Sequence, residues 1–313
     1  MRPTYREEPC RSALNRVEGM PFRWSLNPYM GCAHRCAFCY VRAFERRADR
    51  PSDDRYSADV RVKTNFVEVL VAELARRSWA REPVVLGAAT DPYQPAESRY
   101  HLARGAIGAL ARAWTPFDII TRGPMIVRDL DVLARAARRV RVRVHVSIIS
   151  LDERVWRGLE PGAPSPGARL NAVRALSEAG IDVGVAVAPV LPGLTDDRAS
   201  LEAVVRAARA AGAVRVWARE LYLGSGTKEH FLAALERGWP GERERCERLY
   251  ARGAYLPREA GERMRGAVAA LARRHSVADR RTVRLTPEVE PPPRAEERQL
   301  GLLFATARAA CTE

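Results

Sequence analysis

A chain of 313 residues, 47% of them hydrophobic, has room for one large domain or two small ones around a buried core. No run of about 18 apolar residues occurs, which excludes a membrane-spanning helix, and the charged residues 1–18 do not read as a signal peptide, so a cytoplasmic protein with no membrane partner is expected. The formal net charge of +14, from 52 basic and 38 acidic residues, points toward nucleic acid as a partner, while six cysteines without disulfide-like spacing suit a reducing compartment.

Residues 1–23 carry Pro3, Pro9 and Pro21 among many charges and are expected to form an extended leader in which Cys10 is an incidental thiol. A short first strand is expected over 23–30, with Asn27-Pro28 turning the chain into a loop, Cys32-Ala-His-Arg-Cys36-Ala-Phe-Cys39-Tyr40. A helix follows over 40–47, residues 50–54 break the pattern, and a second helix is expected over 65–80 with Phe66, Val69, Leu70 and Leu74 on one face. Strands and helices then alternate. Apolar strands are expected at 84–89, 117–121, 140–149, 181–188 and 214–218, and helices at 102–113, 126–139, 168–179 and 197–211, the last two ended by Gly180 and Gly212.

Apolar strands covered by helices mean a parallel sheet, and six such units predict an α/β protein with a partial (βα)6 barrel over 24–220. The arginines 135, 138, 139, 141 and 143 join a helix to a strand, which places them on the face away from the barrel's mouth as solvated surface. Beyond Glu220 the alternation stops. Helices at 230–237, 242–251 and 257–274 predict a helical extension over 221–280 that caps the barrel or its open side, with Cys246 on one of them, and residues 281–313 read as a proline-rich tail with an apolar end at 300–304. Gly224-Ser-Gly226-Thr-Lys228 is similar to half of a phosphate loop, but a turn is the plainer reading.

Three cysteines at spacings of four and three put three thiolates on one tight loop, as a cubane iron–sulfur cluster requires when the protein ligates three of its four irons. The fourth iron is then open to a small chelating ligand. The competing reading is a zinc knuckle of Cys32, Cys36, Cys39 and His34, weakened by the place of His34 between the first two cysteines and by the distance of Cys10, Cys246 and Cys311. Each later strand ends in polar or proline-bearing residues: Thr90-Asp91-Pro92-Tyr93-Gln94-Pro95-Ala96-Glu97, then Thr121-Arg122, Ser147 with Ser150, the stretch from Pro189 to Asp196, and Arg219-Glu220. In a parallel barrel these face one mouth, where chemistry gathers. Asp91 and Glu97 bind a cationic group or a ribose there, or cap the next helix. Ser147 and Ser150 either contact a ligand or satisfy strand-end backbone, and Arg122 either contacts a ligand or pairs with an acid.

The cysteine loop and the aromatic Tyr40 after it resemble the signature of the radical S-adenosylmethionine (radical SAM) enzymes. Within them the spore photoproduct lyase-like branch is similar over most of residues 24–195, through Ser147-Ile148, Leu159-Glu160-Pro161-Gly162, Arg169-Leu170 and the run from Gly180 to Pro189. The resemblance implies a [4Fe–4S] cluster on Cys32, Cys36 and Cys39 with S-adenosylmethionine on the open iron. It also implies cofactor contacts at Arg122 and Ser147, Tyr40 near the adenine, Pro189 lining the adenosyl pocket, and Thr90 and Asp91 at the same site. Its chemistry is reductive cleavage of the cofactor followed by hydrogen abstraction from an organic substrate, with an electron donor such as a flavodoxin or ferredoxin as partner. One element departs. Where that lyase carries a cysteine that returns a hydrogen atom to thymine, this chain has Ala88-Ala89-Thr90, which removes the donor that thymine repair needs. The expected substrate is a nucleic-acid base or nucleotide in DNA or RNA. The alternatives are a small metabolite or peptide, or a zinc-stabilised nucleic-acid-binding module without catalysis.

Overall fold

The computed structural model describes residues 3–278, 284–290 and 292. In chain order the strands are β1 Thr4–Glu8, β2 Leu14–Arg16, β3 Trp24–Leu26, β4 Tyr29–Met30, β5 Asp59–Lys63, β6 Val84–Leu86, β7 Phe117–Thr121, β8 Val142–Ser147, β9 Asp182–Val190 and β10 Arg215–Glu220. The α-helices are α1 Val41–Arg47, α2 Arg55–Ala58, α3 Phe66–Leu74, α4 Glu97–Tyr100, α5 Leu102–Arg112, α6 Leu130–Ala137, α7 Glu153–Leu159, α8 Pro166–Glu178, α9 Arg198–Ala210, α10 Thr227–Gly238, α11 Pro240–Leu249 and α12 Arg258–Arg274. The large sheet has the order β10-β9-β8-β7-β6-β3-β2, and the pairs from β3 through β10 are all parallel. The parallel strands follow one another in chain order without reversal. A doubly wound sheet reverses its order at a switch point, so this is the one-directional winding of a barrel, with six strands, as expected.

Right-handed crossovers that all advance in one direction put the helices on one face of the sheet. That outer face carries the row Leu26, Leu86, Ile119, Val144 and Val183, each directly paired with the next and each with no exposed surface. Leu110 of α5, Leu176 of α8 and Val205 of α9 complete this core. One residue earlier, the opposite face carries Ser25, Val85, Asp118, Arg143 and Asp182 in the same register. Here Arg143 donates to Asp118 at 2.8 Å, and Arg215 donates to Asp182 at 2.9 Å. The inside of the partial barrel is therefore polar.

Several elements differ from the sequence reading. The extended leader supplies β1, which pairs parallel with β5, while β5 pairs antiparallel with β4 in a separate three-stranded sheet. The signal for β5 was the alternation Asp59-Val-Arg-Val-Lys, with Val60 and Val62 fully buried. Helix α3 stops at Leu74 rather than 80, because the arginines that follow have no apolar face to bury. The helix expected over 126–139 opens as a 3-10 turn, Pro124–Asp129, before α6. Helix α7 was missed despite the Asp152 cap, whose carboxylate accepts from the backbone N–H groups of Arg154 and Val155.

The five arginines from α6 to β8 lie at the foot of the sheet, but each is partnered: Arg135 with Asp131, Arg138 with Glu288, Arg141 and Arg143 with Asp118, and Arg139 over the ring of Trp114. In the extension, Val268 and Leu271 of α12 join the main core, whereas α10 and α11 build a second one from Phe231, Ala234, Leu235 and Cys246. The expected apolar end at 300–304 and Cys311 lie outside the described residues. The described part of the tail is held to the body, with the Leu285 N–H donating to the Gly180 carbonyl and the Glu288 N–H to that of Arg138.

Candidate active site

The cysteine loop lies at the C-terminal ends of the strands and is tied down from three directions. From the loop after β6, the Gln94 amide, fully buried, accepts from the Ala33 N–H at 3.0 Å and donates to the Gly31 carbonyl at 3.1 Å. From the segment after α7, the Gly162 N–H donates to the His34 carbonyl, and the Leu159 carbonyl accepts from the Ala37 N–H. A Cβ at Gly162 would stand 2.1 Å from the Ala33 carbonyl oxygen, so only glycine permits this approach. From α10, the Thr227 hydroxyl donates to the Cys39 carbonyl at 3.0 Å. The Gly224-to-Lys228 stretch is thus a turn seated on the cysteine loop, and Lys228 is spent on the Tyr250 carbonyl.

The residues expected at the mouth do converge, but much of their polarity is used internally. Asn27 accepts at one oxygen from the Ala89 and Thr90 N–H groups, fixing the end of β6. The Thr90 hydroxyl donates to the Tyr29 carbonyl. Asp91 accepts from the Thr121 hydroxyl and the Tyr93 N–H on one oxygen and from the Arg122 N–H on the other, which also lies 3.1 Å from His34 Nε2. Burial alone would raise this carboxyl, but His34 and these donors outweigh it and hold it at about 2. Thr90 and Asp91 therefore give the mouth its shape rather than free polar atoms. Glu97 is the helix cap: it accepts from the Ala103 and Arg104 N–H groups at the start of α5, with the Tyr29 hydroxyl and Arg128 as further donors.

Arg122 takes the acid-paired form. Its Nε donates to Glu160 at 2.7 Å and its Nη2 to the Ala188 carbonyl, next to the cis bond that precedes Pro189. Glu160, with 1% of its side chain exposed, also accepts from the fully buried Arg169 at 2.9 Å. Burial pushes the Glu160 carboxyl up, but the two guanidinium groups bring it below its ordinary value. Arg169 further donates to the Ser147 carbonyl, so the Glu-Pro-Gly segment, β7 and β8 are locked through one ionic triad. Ser147 itself is buried on the inner face of β8, while the Ser150 hydroxyl accepts from the Asp152 N–H, as strand-end satisfaction requires. The Tyr40 hydroxyl donates to the Ala88 carbonyl, which holds the ring across the mouth. Gln94, Asn27 and the acid partner of Arg122 went unassigned in the sequence; the first two lay inside quoted motifs, but nothing in the pattern marked their roles.

The donor set fits a cluster. Burial pushes the Cys36 thiol up to about 12 against the pull of nearby Arg122, and burial with the Asp91 charge raises Cys32 as well. Only the thiolate ligates metal, so binding of a cluster would require these protons to leave. The neighbouring carboxylates, Asp91 and Glu160, are saturated by protein donors and do not compete as ligands. Among the described residues no three of His, Cys, Asp or Glu gather closely enough to hold a single metal ion, and the His34 ring nitrogens face Asp91 and the Gly162 carbonyl. His34, with both ring nitrogens engaged in this way, is not the free fourth ligand that a Cys3His zinc knuckle needs.

Comparison with known proteins follows the same line. The Radical SAM superfamily model matches residues 26–204. An uncharacterized protein of Mycobacterium tuberculosis, Rv2578c, is 43% identical over 278 residues, covering 88% of this chain and 82% of its own length. The radical SAM Nalpha-GlyT isomerase of Pseudomonas phage M6 is 27% identical over 53% of this chain and 33% of that protein. Among solved structures, a mutant of spore photoproduct lyase with bound AdoMet and dinucleoside spore photoproduct superposes with a TM-score of 0.66 at 17% identity, over 88% of this chain and 80% of that one.

Proposed function

The chain belongs to the radical SAM superfamily, and from that premise we propose that Cys32, Cys36 and Cys39 hold a [4Fe–4S] cluster whose open iron takes S-adenosylmethionine. When bound, these groups supply reductive cleavage of the cofactor and a 5′-deoxyadenosyl radical that takes a hydrogen atom from an organic substrate. The observation that carries the reading is the loop of three cysteines at the strand ends with every neighbouring carboxylate already engaged.

The chain's own residues do three things in this scheme. Arg122, with Nε and Nη2 committed, offers Nη1 to an anionic group such as the cofactor carboxylate, and Glu160 holds that guanidinium in place. Tyr40, Ser147 and Pro189 line the adenosyl side, on the floor that Thr90 and Asp91 shape. The second core of Phe38, Leu159, Leu191 and Phe231 excludes water from the cluster's flank.

A nucleic-acid base or nucleotide is the substrate class we favour, from the +14 charge and from the dinucleoside held by the solved lyase of the same fold. Thymine repair itself is not proposed, because Ala88 and Ala89 occupy the strand end with backbone bonds to Tyr40 and Asn27 and supply no thiol. A cytoplasmic flavodoxin or ferredoxin is the class of reductant such a cluster takes.

The test is anaerobic reconstitution with iron and sulfide, addition of dithionite and S-adenosylmethionine, and assay of 5′-deoxyadenosine beside a Cys36→Ala control. Product in the wild type that vanishes in the control is expected. Wild-type protein that binds zinc and makes none overturns the reading in favour of a binding module.

A further inference from the structure

Tyr56 reaches the cysteine loop from a part of the chain outside the barrel. Strand β5, which follows it, pairs with β4 through Tyr29↔Val62 and Met30↔Arg61, and β4 runs straight into Gly31 and Cys32. Gly31 has φ +87°, and a Cβ there would meet the carbonyl oxygens of Tyr56 and Asp59 at 2.8 Å. The glycine therefore lets α2 and the start of β5 lie directly against the loop. Tyr56 is 5% exposed, and its phenol oxygen lies 3.9 Å from Cys39 Sγ. Arg42, one turn beyond Cys39 on α1, places its guanidinium carbon 5.4 Å from the Tyr56 ring centroid. It is fully buried and spends Nη1 on the Ser52 and Asp53 carbonyls, while Nε and Nη2 have no hydrogen-bond partner.

We propose that Tyr56 tunes the cluster by donating its hydroxyl hydrogen to the Cys39 sulfur, with Arg42 as a fixed positive charge behind the ring, so that the pair raises the cluster's reduction potential. This rests on the assignment of the three cysteines to a [4Fe–4S] cluster. A ligating thiolate has no proton to give, so the phenol is the donor. A tyrosine hydroxyl ordinarily loses its proton only near pH 10, so at neutral pH it keeps the hydrogen it donates. Reduction adds negative charge to the cluster and its sulfurs. A hydrogen bond to sulfur and a buried cation both stabilise that charge more than they stabilise the oxidised state. Tyr56 acts through Cys39 and touches no reacting atom.

The test compares wild-type protein with Tyr56→Phe, which removes one oxygen and keeps the ring. Both are reconstituted without oxygen, iron and sulfide are counted, and the reduced cluster is titrated by EPR at poised potentials. At the wild-type midpoint the variant is expected to show about tenfold less reduced over oxidised cluster, a negative shift of about 59 mV for a one-electron couple. An iron-replete variant with an unchanged potential overturns the role of Tyr56 and leaves the cluster assignment standing. Wild-type protein that takes up no iron overturns both. If the variant does not load, the bond is read in the wild type by pulsed EPR as a strongly coupled proton that exchanges in D2O, and absence of such a proton overturns the proposal.

Discussion

Glu160 illustrates how far single residues at the mouth could be read. The Glu-Pro-Gly sequence marked it as part of a motif, and Arg122 was left between a cofactor contact and an acid partner. The acid proved to be Glu160, 38 positions away, a pairing that no local pattern encodes. The same holds for Asp91, whose four partners come from three separate segments. By contrast, the spacing of the three cysteines on one loop is a local property that the sequence displays directly. Replacing Glu160 by Gln leaves two guanidinium groups without their anion, one of them fully buried. That should destabilise the fold by about 3–5 kcal/mol, measured as a lower urea midpoint with the slope unchanged.

At the level of elements, hydrophobic pattern located every barrel strand but could not supply their order in space; the sequential order is what separates a barrel from a doubly wound sheet. Strands β1 and β5 escaped notice because they pair with each other 55 residues apart in the sequence, as in Thr4↔Asp59, a contact that no local pattern signals. Gly162 links α7 to the cysteine loop, and Gly162→Ala drives a methyl group into the Ala33 carbonyl. Cluster iron should fall below half of wild type, while global stability drops by only about 1–3 kcal/mol; iron content and thermal melting check the two separately.

Across β7 and β8, burial would raise the Asp118 carboxyl, but His145 and Arg143 lower it below its ordinary value. Its stabilising contribution is therefore complete above the unfolded carboxylate value of about 3.9 and is lost as pH falls through the lower folded value. Asp118→Asn should cost about 1–3 kcal/mol at neutral pH. The gap between the two melting curves should close on acidification, which thermal scans from neutral pH down to about pH 2 would follow.

For the whole molecule, the barrel and the helical extension are joined where the chemistry is expected, through a core that takes Cys36, Ala37 and Phe38 from one and Phe231, Leu235 and Tyr250 from the other. Phe231→Ala should cost about 3–5 kcal/mol and hasten loss of cluster absorbance in air, timed against wild type. The surplus of positive charge yields a further expectation: affinity for single-stranded DNA or RNA should fall steeply, by at least about tenfold, between 50 and 200 mM salt. A salt-independent affinity would favour a small metabolite instead.

The Thr227 tether bears on how the protein is made. Cys39 and the hydroxyl that fixes its carbonyl are separated by 188 positions, so the ribosome delivers the last support of the loop long after the cysteines have emerged. A nascent chain must carry three unshielded thiols through most of its synthesis. If the three cysteines hold the proposed cluster, its insertion is expected to follow docking of α10, and expression that outpaces iron–sulfur supply should accumulate folded barrels with the loop oxidised rather than loaded.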